Sequence, residues 1–165
     1  MNSIKVTWTL GQLESLDIQM PNSFAGRYSL EDGVNPDILK HFGNCGVYRE
    51  LPNFFDLEAI SKEFSNLVNK SFAIHKMSPG MLLPLHKDNY KYYSEVNNIQ
   101  DLNTIVRIIV FLQDFQLGHI LQVEDTPISS YKAGDYIQWV GQTPHVAGNL
   151  GTVDRYTLQI TGTKI

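Results

Sequence analysis

From Ser71 onward the chain breaks into short apolar or alternating runs, each closed by turn-forming residues. Phe72–Met77 runs into Pro79-Gly80, and Met81–Leu85 follows. Then come Ile105–Gln113, His119–Val123, Ile128–Tyr131, Tyr136–Val140, His145–Ala147 and Tyr156–Thr161. Ala133-Gly134-Asp135, the stretch Gly141 to Pro144, and Asn149-Leu150-Gly151 punctuate the later runs. Period-two runs bounded by Gly, Pro and Asn read as strands. About eight short strands in roughly ninety residues predict a mainly β fold, a double-sheet jelly roll or double-stranded β-helix over 71–162.

The first seventy residues read as support for that core. Ile4–Leu10 has the composition of a strand. Asp56 reads as a helix N-cap, with Leu57, Ile60, Phe64 and Leu67 recurring behind it, so a helix is predicted over about 57–69. No repeat, low-complexity tract or linker interrupts the chain, which predicts one domain over 1–165. The stretch Asn89–Asn103, carrying Tyr90, Tyr92 and Tyr93, is expected to form a long loop at the barrel mouth.

Composition narrows the class. With 42% hydrophobic residues the chain can bury a core without disulfides. Its single cysteine, Cys45, excludes a cysteine-based zinc cage and fits a reducing compartment. The net charge of −4 is spread without like-charge runs, which disfavours nucleic acid and a membrane surface as partners. Neither a signal-peptide pattern nor a long apolar span is present, so a cytoplasmic protein is expected.

The chemistry begins at Leu85-His86-Lys87-Asp88, at a predicted strand end. Residues two apart on a strand share a face, so His86 and Asp88 point into one cavity while Lys87 turns away. His145 opens a later strand and supplies a third donor. Two imidazoles and one carboxylate on one face of an iron ion leave positions open for a co-substrate and dioxygen. The same donor set also suits zinc or manganese.

Arg155 stands ten residues after His145. A hairpin centred on Leu150 would set the two residues opposite one another, with Thr157 on the same face. A guanidinium behind the metal, helped by the Thr157 hydroxyl, suits the far carboxylate of 2-oxoglutarate. The bland alternative pairs Arg155 with Asp154 at the surface. His75 and His119 read as structural, His41 receives no role, and Trp139 reads as core. Ser129-Ser130 and Cys45 lack a histidine–acid context for nucleophilic catalysis.

The order His86-x-Asp88, His145, Arg155 resembles the Fe(II)/2-oxoglutarate-dependent oxygenases. Tyr131-Lys132-Ala133-Gly134-Asp135, before a strand carrying Trp139, is similar to the segment leading to their distal histidine. Around Val106-Arg107-Ile108 and from His145 to Arg155 the chain is similar to aspartyl/asparaginyl β-hydroxylase-like members. Small prolyl-hydroxylase-like members, including viral forms, match comparably, although they often place lysine where Arg155 stands. The DNA-dealkylating branch has a further arginine near the position of Thr161. The resemblance covers about 71–162. It implies Fe(II) held by His86, Asp88 and His145, and 2-oxoglutarate held by Arg155 and Thr157, with Arg107 helping to hold the co-substrate or substrate carboxylate; separately, Tyr92, with Tyr90 and Tyr93, either lines the mouth and bonds 2-oxoglutarate or packs the loop down. It further implies dioxygen as oxidant, release of succinate and carbon dioxide, and an organic or protein substrate that is hydroxylated. Two other readings compete, a non-catalytic jelly-roll binding module and a cupin-like zinc or manganese enzyme.

Overall fold

The computed structural model describes residues 1–19, 29–35, 37 and 45–165. His41 lies outside them. In chain order the elements are β1 (Asn2–Ser3), α1 (Leu10–Glu14), β2 (Gly46–Tyr48), α2 (Leu57–Glu63), β3 (Leu67–Met77) and β4 (Met81–His86). There follow α3 (Lys91–Asn97), β5 (Ile105–Phe111), β6 (His119–Val123), β7 (Thr126–Pro127), β8 (Asp135–Val140), β9 (His145–Asn149) and β10 (Arg155–Lys164). Two antiparallel sheets form the jelly roll, ordered β1-β8-β5-β10-β3-β2 and β4-β9-β6-β7.

Side-chain alternation explains how the larger sheet serves two layers. Along β10, Tyr156, Leu158 and Ile160 join Val106, Ile108 and Val110 of β5 in an apolar core with Trp8, Leu13, Phe55, Ile60 and Phe64. That core lies on the outer face, beneath the N-terminal segment and α2. The intervening residues, Arg155, Thr157, Arg107 and Ile109, face the other sheet and line a cavity. Both faces of β5 and β10 are therefore buried. Fully burying each aliphatic side chain of the outer face contributes about 1.5–3 kcal/mol.

Local signals set the supports. The Asp56 side chain accepts from the Ala59 amide at 2.9 Å and starts α2. The expected helix over 57–69 stops at Glu63, because Leu67 is recruited into β3, where it pairs with Lys164. Ile4–Leu10 is not a strand. Only Asn2 and Ser3 pair, with Tyr136 and Asp135. Thr9 then opens α1 through a capping box with Gln12, and the Trp8 indole donates to the Leu112 carbonyl at 2.7 Å.

Three further expectations are corrected. Ile128–Tyr131 does not pair. Its backbone makes isolated bonds instead of a ladder, Ile128 donating to the Leu121 carbonyl and Phe115 donating to the Tyr131 carbonyl. The stretch Asn89–Asn103 is not an open loop, since α3 occupies its centre. Most importantly, β9 and β10 do not form a hairpin. β9 pairs with β4 and β6, while β10 pairs with β3 and β5 in the other sheet. Arg155 opposes Met77, not His145.

The connection after β9 crosses between the sheets, and Asn149 pins the crossing. Its buried amide donates to the carbonyls of Met77 and Val153, both at 2.7 Å. Gly118 and Gly151 meet back to back there. A Cβ on Gly118 would lie 2.2 Å from the Gly151 amide nitrogen, so neither backbone has room for a side chain.

Candidate metal centre and its cavity

His86 is the last residue of β4 and His145 the first of β9, and the two pair across the smaller sheet. Asp88 lies two residues past the strand end, while Lys87 between them points to solvent. One donor atom from each of His86, Asp88 and His145 falls within 4.8 Å of the others. Asp88 oxygens stand 3.8 Å from Nε2 of His86 and 3.9 Å from Nε2 of His145. These separations are too long for hydrogen bonds. They suit ligands of one ion, whose donors at bond lengths of about 2.1 Å lie roughly 3–4 Å apart.

Each imidazole is fixed by its other nitrogen. Nδ1 of His86 lies 2.8 Å from the Pro84 carbonyl, and Nδ1 of His145 lies 2.9 Å from the Thr143 carbonyl. A carbonyl accepts only, so both Nδ1 atoms carry the proton and both Nε2 atoms present a lone pair. Burial, then the neighbouring His145, lowers the pKa of His86 to about 4. Burial lowers that of His145 as well. Both rings are neutral at pH 7, as metal ligands must be. Trp139 packs on His145 with ring centroids 4.8 Å apart.

Asp88 is held ionised. Burial pushes its carboxyl up, but Arg107 and the two imidazoles outweigh burial and hold it well below the usual carboxylate range. Arg107 grips one oxygen through Nε at 3.1 Å and through a terminal nitrogen at 2.7 Å. Its other terminal nitrogen donates to Thr161, and the Tyr90 ring lies 5.0 Å from the guanidinium carbon. The donor set thus fits a divalent cation, with two neutral imidazoles and one fixed carboxylate.

A cavity of about 190 Å³ opens from this cluster between the two sheets. Arg155, Thr157, His75 and Gln159 line its larger-sheet wall. Ile109, Leu121 and Trp139 supply apolar surface. Arg155 is 3% exposed. One terminal nitrogen meets the Met77 sulfur at 3.6 Å, and the Tyr131 hydroxyl faces the guanidinium. Tyr131 is in turn 3.1 Å from Nδ1 of His119. Among the described residues no carboxylate pairs with Arg155, and its Nε has no hydrogen-bond partner. Asp154, the surface alternative, is taken by Lys76 at 2.8 Å.

His86, Asp88, His145, Arg155 and Thr157 therefore share one cavity, although the hairpin expected to align them does not exist. Two sheets facing each other deliver the same result. Arg107 is placed differently from expectation, since its guanidinium is committed to Asp88 and Thr161. Tyr92 is corrected too. It is 80% exposed on α3 and lines an outer groove, while Tyr90 is the tyrosine packed against Arg107. Tyr90 is the N-cap of α3, in the left-handed conformation, and is buried, whereas Tyr92 in the first turn is on the solvent side.

His75, read as structural, pairs with Thr157 across β3 and β10 and also faces the cavity. Burial, then Arg107 and Arg49, lowers its pKa to about 3, so it is a neutral hydrogen-bonding group. The two-residue step from His75 to Met77 was the available signal. Trp139, read as core, is also a cavity wall.

The sequence matches no protein-family profile and no curated protein sequence. Its fold matches solved structures. A prolyl-4-hydroxylase from Pseudomonas putida superposes with a TM-score of 0.52 at 14% identity, over 73% of its length and 74% of this chain. A predicted oxalate decarboxylase from Thermotoga maritima gives 0.45 at 18% identity, over 82% of its length and 73% of this chain. The cupin domain of Schizosaccharomyces pombe Cnp3 gives 0.47 at 10% identity, over 72% of its length and 92% of this chain. The shared feature is the jelly-roll fold. No helix among the described residues is long and apolar enough to cross a membrane.

Proposed function

We propose that this chain is an Fe(II)- and 2-oxoglutarate-dependent dioxygenase that hydroxylates an organic or protein substrate. The observation carrying this reading is Arg155. An arginine buried without a carboxylate, in the cavity shared with a two-histidine, one-carboxylate cluster, is incomplete until an anion arrives. Burial opposes its charge, yet a guanidinium stays protonated at neutral pH. A diacid completes both ends of the cavity at once.

His86, Asp88 and His145 would hold the iron, which when bound activates dioxygen. The remaining work falls to the protein. Arg155 takes the far carboxylate of 2-oxoglutarate, with the Thr157 hydroxyl donating beside it. Tyr131 and Met77 hold the guanidinium in place. Arg107 fixes Asp88, while the Pro84 and Thr143 carbonyls orient the imidazoles. Ile109, Leu121 and Trp139 exclude water from the reacting region.

The net reaction balances. One oxygen atom of dioxygen enters a substrate C–H bond as hydroxyl, and the other enters succinate as 2-oxoglutarate loses carbon dioxide. Dioxygen accepts four electrons, two from each organic partner.

The test is anaerobic titration of the iron-loaded chain with 2-oxoglutarate. A visible charge-transfer band that saturates, followed by succinate release on admitting air, is the expected result. Stoichiometric iron binding with no band and no succinate at saturating 2-oxoglutarate would overturn the reading in favour of a zinc or manganese jelly-roll enzyme. Failure to bind any divalent ion would leave a binding module.

A further inference from the structure

The inward-facing residues of β10 are Arg155, Thr157, Gln159 and Thr161, a polar row along the sheet. Arg155 and Thr157 belong to the co-substrate end, and the Thr161 hydroxyl accepts from Arg107. Gln159 is left over. Its cross-strand neighbours, Ala73 and Ile109, have no polar side-chain atom to offer. Its amide makes no hydrogen bond among the described residues.

A cation stands in the same cross-sheet row. β2 pairs with β3 at Val47 and His75, then at Tyr48 and Ile74, and Val47 and His75 both line the cavity. Arg49 is the next step, beside Ala73 and on the face of Val47, because residues two apart share a face. Arg49, Ala73 and Gln159 therefore lie side by side across the sheet, with the smallest side chain in the middle. Arg49 has no carboxylate partner among the described residues, and its charge is felt at His75.

This row sits at a neck. Arg49, Asp88, Arg107 and Gln159 line both the metal cavity and an outer groove of about 540 Å³. Asp88 and Arg107 neutralise one another, which leaves the charge of Arg49 in excess. The groove continues over the sheet face above Ser71 and Thr161, which pair, and α3 forms its other wall. Asn69 and Lys70 bulge out of the β3–β10 ladder at the far end. There the Tyr93 hydroxyl meets the Asn69 carbonyl and the Thr163 hydroxyl, each at 3.0 Å. The span from Gln159 to Thr163 is roughly 13 Å, at about 3.3 Å per strand residue. That length and the groove's volume suit a small molecule.

We propose that the primary substrate is a small organic acid whose carboxylate is shared by the Arg49 guanidinium and the Gln159 amide over Ala73, with the rest of the molecule in the groove and its first carbons at the mouth of the metal cavity. A guanidinium and an amide NH2 both donate, and a carboxylate accepts from both. The small side chain of Ala73 leaves room for two long ones to close on one group. The fate of those carbons rests on the oxygenase reading above, while the binding rests on the row itself.

Binding is measured by calorimetry on the zinc-loaded full chain, with 2-oxoglutarate present to occupy Arg155. The probes are straight-chain and hydroxy- or amino-substituted acids of roughly six to eight carbons, which fit the span, each beside its amide and its amine. Acids that bind are expected to do so about tenfold more tightly than their amide and amine counterparts. Arg49→Gln should cost them about tenfold, and Gln159→Leu about fivefold. Ala73→Val, which fills the gap, should weaken them about tenfold. Arg49 is exposed, so its variant decides the matter even if Ala73→Val does not fold. No acid bound at millimolar concentration, amides or amines bound as tightly, or acid affinity unchanged in Arg49→Gln would overturn the proposal. Acid binding with no charge-transfer band would sink only the oxygenase reading, and a band with no acid bound only this one.

Discussion

The two ends of the cavity treat charge in opposite ways. At the metal end the three donor side chains are each held from behind, with the Pro84 and Thr143 carbonyls on the imidazoles and Arg107 on Asp88. At the far end a full positive charge is buried with a thioether and a phenol for company. A set that is fixed in advance suits repeated capture of a small hard ion. A charge left short of its counterion suits a ligand that brings one.

Substitutions can break this contrast. The largest effect is expected from His86→Ala, which removes one of three ligands and should lower iron affinity at least about a hundredfold, measured by equilibrium dialysis. Iron retained at wild-type affinity would mean another ligand set. Arg155→Leu should weaken 2-oxoglutarate roughly a hundredfold, about 3 kcal/mol, with iron affinity kept. The same variant should unfold in urea with unchanged or increased stability, by about 1 kcal/mol, since a buried charge is replaced by a well-packed alkyl group. Loss of stability without loss of co-substrate affinity would make Arg155 structural.

Arg107→Gln sharpens the contrast at the other end. Asp88 then loses its fixed neighbour, and iron affinity should fall about tenfold while 2-oxoglutarate binding to the iron-loaded protein changes little. An equal loss for both ligands would return Arg107 to the co-substrate. His119 tests the support behind the clamp. Burial and then Arg155 lower its pKa from the ordinary 6.5 to about 4, so the unfolded chain takes up the proton first. The stability gained by keeping it neutral is present above pH 6.5 and is lost as the pH falls towards 4. His119→Gln should flatten that limb by roughly 1 kcal/mol in urea melts across the window, whereas an unchanged slope would assign the loss elsewhere. The smallest effect is expected from Tyr92→Ala, within about 0.5 kcal/mol in stability and without change in 2-oxoglutarate affinity. A clear loss of affinity would restore Tyr92 to the site.

What could be read from sequence follows from how local the cause is. Alternation along β5 and β10 is a property of consecutive residues, so these strands are legible, and so is the Asp56 cap. His86 and Asp88 share a face for the same reason. The pairing of β9 is not local. Asn149-Leu150-Gly151 has the composition of a hairpin turn, yet β4 and β6 already occupy both edges of β9, and the Asn149 amide steers the chain across to the other sheet. Leu67 continues the helical stripe of Ile60 and Phe64, but sheet pairing with Lys164 claims it. The partner of Arg107 was not legible, because Asp88 reaches it from beyond the end of β4, a strand of the other sheet. That His75 faces the cavity was not legible, because Thr157, its cross-strand neighbour, is far away in sequence.

The placement of the cavity between layers has one more consequence. His86 and His145 belong to the four-stranded layer, and Arg155 and Thr157 to the six-stranded one. A diacid anchored at both ends would rivet the two layers together. Its occupancy at a hundred times its Kd then adds about 2.7 kcal/mol to the folded state. Co-substrate supply would in this way set not only turnover but how long the barrel stays shut.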